Sequence, residues 1–133
     1  MPIDTLAAWH RLVETQNANG LDMLLAENAT FHSPVVHKPQ VGKALTKMYL
    51  AAAFQVFFNP TFRYVREIAG ARDAVLEFAT EIDGIAINGV DMIQWDSEGR
   101  ITDFKVMIRP LKAVNLIHEK MAAMLQAAQQ QQQ

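Results

Sequence analysis

From Thr61 onward the apolar residues of this chain change their spacing, from the three-and-four of a helix to the two of a strand, and that change fixes the class of fold open to it. Period-two segments fall near 61–69, 74–82, 85–95 and 100–109. Alternation of this kind lays one apolar and one polar face along a strand. The segments are separated by Gly70, by Asp83-Gly84 and by Asp96-Ser97-Glu98-Gly99. Asp-Gly suits a two-residue type I′ turn, in which both central residues take positive φ. The four-residue group suits a type I turn closed by a glycine in a G1 bulge. Turns this short join antiparallel neighbours, so four strands follow one another as a meander.

Ahead of that change the pattern is helical. Asp4 or Thr5 caps a first helix with Leu6, Trp9, Leu12 and Val13 at helical spacing, and Asn17-Ala18-Asn19-Gly20 stops it. Leu21 to Glu27 reads as a short second helix and Ala29 to Ser33 as extended chain, after which Pro34 and Pro39 exclude helix from the loop. Lys43 to Phe58 is predicted as a long helix, amphipathic at Leu45, Met48 and Tyr49 and then apolar nearly all round until Asn59-Pro60 ends it. A helix of that kind is covered on most sides. Pro110 opens a last helix with Leu111, Val114, Ile117, Met121 and Leu125 on one face, and residues 129–133, a glutamine run, are expected to form a disordered tail. Helices followed by consecutive strands make an α+β plan: a curved antiparallel sheet wrapped around the long helix, closed by N-terminal helices and a C-terminal helix into a cone-shaped pocket. With 133 residues, one domain over 1–128 accounts for the core.

Composition narrows the function. Half the residues are hydrophobic and 20% charged, which leaves apolar surface for a cavity or a dimer face. The net charge of −2 is spread rather than striped, so neither nucleic acid nor an acidic membrane is an expected partner. No cysteine is present to form a disulfide or a thiolate nucleophile. The N-terminus has no basic stretch leading into an apolar one, and no run approaches about 18 apolar residues, so a cytoplasmic location is expected. His10, His32, His37 and His118 stand at no metal-ligand spacing, and neither a GxGxxG nor a phosphate-binding loop occurs. No metal and no cofactor are expected. Ser33 and Ser97 have no base and acid at a recognisable spacing.

Two groups of motifs carry a resemblance. Ala29-Thr30-Phe31-His32-Ser33-Pro34 with Gly42-Lys43-Ala44, and Asn88-Gly89-Val90-Asp91-Met92-Ile93 with Asp96-Ser97-Glu98-Gly99-Arg100-Ile101, make the chain similar to the SnoaL-like proteins of the nuclear transport factor 2-like superfamily. That superfamily includes ketosteroid isomerase, scytalone dehydratase, limonene epoxide hydrolase and SnoaL-type polyketide cyclases, alongside transport adaptors. The fold thus leaves the reaction open. The resemblance implies that the concave sheet face lines a pocket, that the convex face dimerises, and that carboxylates on the last strands serve as acid or base.

Pairing Asp96 with Arg100 sets Asp91 opposite Lys105, Ile93 opposite Asp103 and Gly89 opposite Met107. Asp91, Lys105, Met107 and Arg109 then share the pocket face. Val90, Met92, Phe104, Val106 and Ile108 form an apolar face for a homodimer, although a slip of one residue exchanges the two sets. Arg109 stands where some relatives carry a carboxylate, which weighs against opening an epoxide with paired carboxylates. On the enzymatic reading an isomerase or cyclase acts on a small apolar carbonyl compound, with Asp91 as base and His32 or Tyr49 steadying the enolate. The competing reading pairs Asp91 with Lys105 or Arg109, which would lower its pKa and make it a poorer base. Alternation turns either Phe31 or His32 inward, and a satisfied core or rim histidine competes with the catalytic role. Trp9, Tyr49 and Phe54 are expected to line the pocket beside Lys105, Met107 and Arg109, whereas Tyr64 could face either way. A non-enzymatic ligand-binding or dimerisation domain is the alternative.

Overall fold

The computed structural model describes residues 3–131. Helix α1 (Thr5–Thr15) begins where the Asp4 carboxylate accepts the Ala7 N–H at 3.2 Å, and it ends at Gln16 with φ 52°. A single 3₁₀ turn, Ala18–Gly20, leads into α2 (Leu21–Leu24), and the chain extends at once into β1 (Leu25–His32). The second helix is therefore shorter than its spacing predicts. Leu25, Ala29 and Phe31 are all drawn into the core as strand residues, and tertiary burial outweighs local helix preference. Strand β2 (Gln40–Val41) precedes α3 (Lys43–Phe57), and the meander follows as β3 (Arg63–Ala69), β4 (Asp73–Ile82), β5 (Ile85–Trp95) and β6 (Ile101–Arg109). Asp83 and Gly84 both take positive φ, 52° and 78°, and Gly99 takes 84°, the turn chemistry expected of them.

The six strands form one curved, unclosed sheet in the order β2-β1-β6-β5-β4-β3. It is mixed rather than wholly antiparallel, because β1 lies parallel to β6. That pairing joins residues some seventy positions apart, and no turn signal announces such a neighbour. Helix α3 lies across β1 on the inner face and α4 (Leu111–Gln131) packs on α3. The buried stripe of α4 is Ala113, Ile117 and Met121, while Leu111 is exposed. Its backbone stays helical into the glutamine run as far as Gln131, and the last two residues of the expected tail lie outside the described residues. Among the described residues no helix is long and apolar enough to cross a membrane.

One register detail decides the site. The Asp96 N–H donates to Arg100 O at 2.9 Å as expected, but Trp95 pairs with Ile101 and Gln94 with Asp103, leaving Thr102 as an extra residue. This bulge shifts the rest of β6 by one. Asp91 now stands opposite Val106, Ile93 opposite Phe104 and Gly89 opposite Ile108. Asp91 is buried on the inner face with Phe104 and Val106. Lys105, Met107 and Arg109 point the other way, along with Val90 and Met92. The expected sharing of a face by Asp91, Lys105, Met107 and Arg109 is thus corrected, and Val106 belongs to the core rather than to a dimer face.

Candidate active site

Asp91 sits midway along β5, inside the angle between α1, α3 and the sheet. From α1, Trp9 Nε1–H donates to Tyr64 Oη at 2.9 Å, and the Tyr64 hydroxyl donates to Asp91 Oδ2 at 2.7 Å. The indole is wedged between Phe104, 4.9 Å away between centroids, and Phe54, 5.7 Å away. Leu50, Ala53 and Phe57 add the wall contributed by α3; Phe78 and Val106 add that of the strands, and Phe58 and Phe62 stand at the α3–β3 connection. The space left is about 30 Å³, room for about two waters.

Burial drives the chemistry of the carboxyl. Asp91 is 7% exposed, and removal from water pushes its pKa from 3.8 up to about 7, against the pull of the Tyr64 hydrogen bond. Tyr64 is held well above its ordinary pKa, first by burial and then by the Asp91 charge beside it. It is therefore a neutral donor throughout the physiological range. None of the ion pairs among the described residues includes Asp91. Its Oδ1 has no hydrogen-bond partner among the described residues, yet no side-chain polar atom of those residues is sealed away unsatisfied. Oδ1 is consequently the atom that faces the cavity.

The expected partners of Asp91 lie elsewhere. Arg109 donates from Nε to Asn88 Oδ1 at 2.9 Å on the outer face, and Asn88 in turn donates to Glu77. The expected pairing of Asp91 with Lys105 or Arg109 is replaced by the single bond from Tyr64, because the Thr102 bulge turns both cations outward. His32 also points outward, 2.8 Å from Asp103, since its neighbour Phe31 fills the core against Phe104 and Tyr49. That removes His32 from the catalytic set, and Tyr49 packs on Phe31 without lining the cavity. Of the aromatic candidates, Trp9 and Phe54 do line it. Tyr64 is the residue that sequence reasoning left out. Its signal was the alternation Phe62, Arg63, Tyr64, which puts Tyr64 on the side of Phe62 and away from Arg63. At the rim, His10 Nε2 meets Glu67 Oε1 at 2.6 Å, with the imidazole set edge-on to the Tyr64 ring. Among the described residues no three His, Cys, Asp or Glu side chains come together to hold a metal ion.

A carboxyl that is half ionised near neutrality, with one oxygen held and the other open to an apolar cavity, is equipped to take up and return a proton. Fold and cavity together define a domain of the SnoaL-like kind, and a SnoaL-like domain family matches residues 6–104; the chain belongs to that family. Among solved structures it is similar to a steroid delta-isomerase from Pseudomonas aeruginosa, 39% identical, TM-score 0.88, over 93% of this chain and 90% of that one. It is similar also to an uncharacterized protein with a cystatin-like fold from Silicibacter pomeroyi DSS-3, 32% identical, TM-score 0.83, over 90% and 84%. SalBIII, an epoxide hydrolase/cyclase-like enzyme of pyran ring formation in salinomycin, shares the fold at 21% identity, TM-score 0.64, over 80% and 88%. No curated protein matches the chain.

Proposed function

We propose that this protein is an isomerase or cyclase working in the cytoplasm on a compact, apolar carbonyl compound, with Asp91 as its base. The observation that carries the reading is the Asp91 carboxyl itself: buried, poised at about 7, tethered through Oδ2 by Tyr64 and open to an apolar cavity through Oδ1. Ionised Oδ1 takes the proton from a carbon next to the carbonyl. The C–H electron pair moves into the carbonyl to give an enolate, and the neutral acid returns the same proton to another carbon. His32 and Tyr49 stand outside the cavity, so in this reading the proton that Asp91 has taken up is the one donated on. Similarity to a steroid delta-isomerase supports proton transfer of this kind. A cavity of about 30 Å³ favours a far smaller substrate, since pockets for drug-sized ligands measure roughly 300 Å³ or more.

The test is deuterium incorporation from D₂O into a panel of small β,γ-unsaturated ketones, followed by proton NMR. Wild type should exchange the α position at a rate that rises through about pH 7. Asp91→Asn should lose exchange by on the order of 10²-fold or more. Binding without exchange for every ketone would favour the second reading, a non-catalytic ligand-binding domain, which the small size of the cavity also supports. We propose further that the protein is a homodimer through the outer sheet face, where Ile68 of β3, Met92 of β5 and Met107 of β6 are exposed.

A further inference from the structure

We infer that the cavity at Asp91 is also a binding site for a compact alkylammonium ion. A second ligand class of this kind follows from what the cavity lacks. Trp9 and six phenylalanines line it, and none of its lining residues is basic. An ionised carboxylate there has one hydrogen bond, from Tyr64, and no counter-ion among the described residues. A buried charge of that sort is costly unless something of opposite sign is brought to it. A neutral carbonyl ligand leaves the deficit in place; a monocation against Oδ1 removes it. The aromatic walls add to the preference, since ring faces attract cations and do so more strongly where water is excluded. The available space, about 30 Å³, suits an ion the size of methylammonium. The cation would stand on the atom proposed as base, so it would compete with a carbonyl substrate. Its binding does not require Asp91 to be a base.

Proton linkage gives the site a signature. A cation binds the ionised carboxylate, which must first lose the proton that burial favours. The groups packed against Asp91 leave the linkage to Asp91 alone: Tyr64 from β3 is neutral over the range, Trp9 from α1 does not titrate, and Leu76 of β4 and Val106 of β6 are the cross-strand neighbours. Helix α3 presents Leu50, Ala53 and Phe54. Beyond Tyr64, His10 packs on its ring and is paired with Glu67 at the rim.

The experiment titrates full-length protein with methylammonium chloride and, separately, with methanol as the neutral partner of equal size. Binding is followed on the Trp9 indole N–H resonance at pH 6 and pH 8, at constant ionic strength. With a carboxyl near 7, the ionised fraction falls from about nine-tenths to about one-tenth between those values, so Kd should weaken about tenfold at pH 6. Asp91→Asn should abolish binding at both, and His10→Gln should leave the tenfold ratio intact. Methanol binding as tightly as methylammonium, or a wild-type Kd equal at the two pH values, or binding retained by Asp91→Asn, would each overturn the inference. The wild-type pH comparison stands even where a variant fails to fold. Loss of the isomerase reading leaves all of these outcomes unchanged, because none of them measures turnover.

Discussion

Replacing Asp91 with asparagine should make the folded protein more stable at neutral pH, not less. In the folded state the carboxyl titrates at about 7, against an ordinary 3.8. Below 3.8 it is neutral whether the chain is folded or not, and its ionisation costs nothing. Between 3.8 and about 7 the unfolded chain releases the proton while the folded chain keeps it, so stability falls by about 1.4 kcal/mol for each pH unit. Above the folded pKa the loss levels off at about 4 kcal/mol. Asparagine cannot ionise, and its Oδ1 can still accept the Tyr64 hydroxyl. Its amide group must find a cavity water, at a pH-independent cost of about 1–2 kcal/mol. Asp91→Asn should therefore be no more stable than wild type near pH 5 and more stable by about 2–3 kcal/mol at pH 8, or roughly 10 °C in Tm for a chain of this size. Urea or thermal melts of both proteins from pH 5 to 8.5 measure the difference, in which the other titrating groups cancel. A variant less stable than wild type by the same margin at pH 5 and pH 8 would refute the reasoning, because it would mean that the carboxylate has a compensating partner. Pairing with Lys105 or Arg109 would do that, and would put the pH dependence below 3.8 instead.

Tyr64→Phe removes the one hydrogen bond to Asp91 and leaves Trp9 Nε1–H without its acceptor. The Asp91 titration, followed by carboxyl ¹³C NMR, should move above 7, with about 1–3 kcal/mol lost from stability at pH 8; an unmoved titration would count against the tether. Gly89→Ala should destabilise by about 1–3 kcal/mol in urea melts. A Cβ there would stand 2.6 Å from Met107 O and from Phe78 Cζ, and 2.8 Å from Ile108 Cγ2. If the outer face joins two copies, Ile68→Lys and Met107→Lys should each halve the mass seen by light scattering at micromolar concentration. A wild-type monomer would end that proposal.

The turns were legible because their chemistry is local. Asp83-Gly84 and Gly99 name their own backbone conformations, and the strands between them follow. What lay beyond reading was set by long-range pairing or by a single unpaired residue. Nothing in Leu25–His32 says that it pairs in parallel with a strand at the other end of the chain. Thr102 resembles any other strand threonine, and its bulge exchanged the two faces of β6. Asp91 was singled out on residue type and resemblance, and it lines the cavity; the partner expected for it differed because that partner depended on register. His32 and Tyr49 failed for a packing reason: Phe31, the larger apolar neighbour, took the inward position of β1 and Tyr49 packed on it.

The same bulge links the stability of the protein to its proposed chemistry. Without the extra residue, Lys105 and Arg109 would turn to the inner face and Lys105 would stand directly opposite Asp91, where its ammonium would hold the carboxylate ionised with a low pKa. The fold would be relieved of an uncompensated buried carboxyl, and the site would lose a group that can exchange a proton near pH 7. With the bulge, both cations are spent on the outer surface, Arg109 in the Asn88–Glu77 network, and Asp91 is left with a phenol. A phenol stabilises the carboxylate enough to keep it from being permanently protonated, and too little to make it permanently ionised. That intermediate state is what a proton-transferring group requires and what a merely structural one avoids. The cost to stability and the proposed proton transfer thus come from one local irregularity, and Asp91→Asn should remove both together.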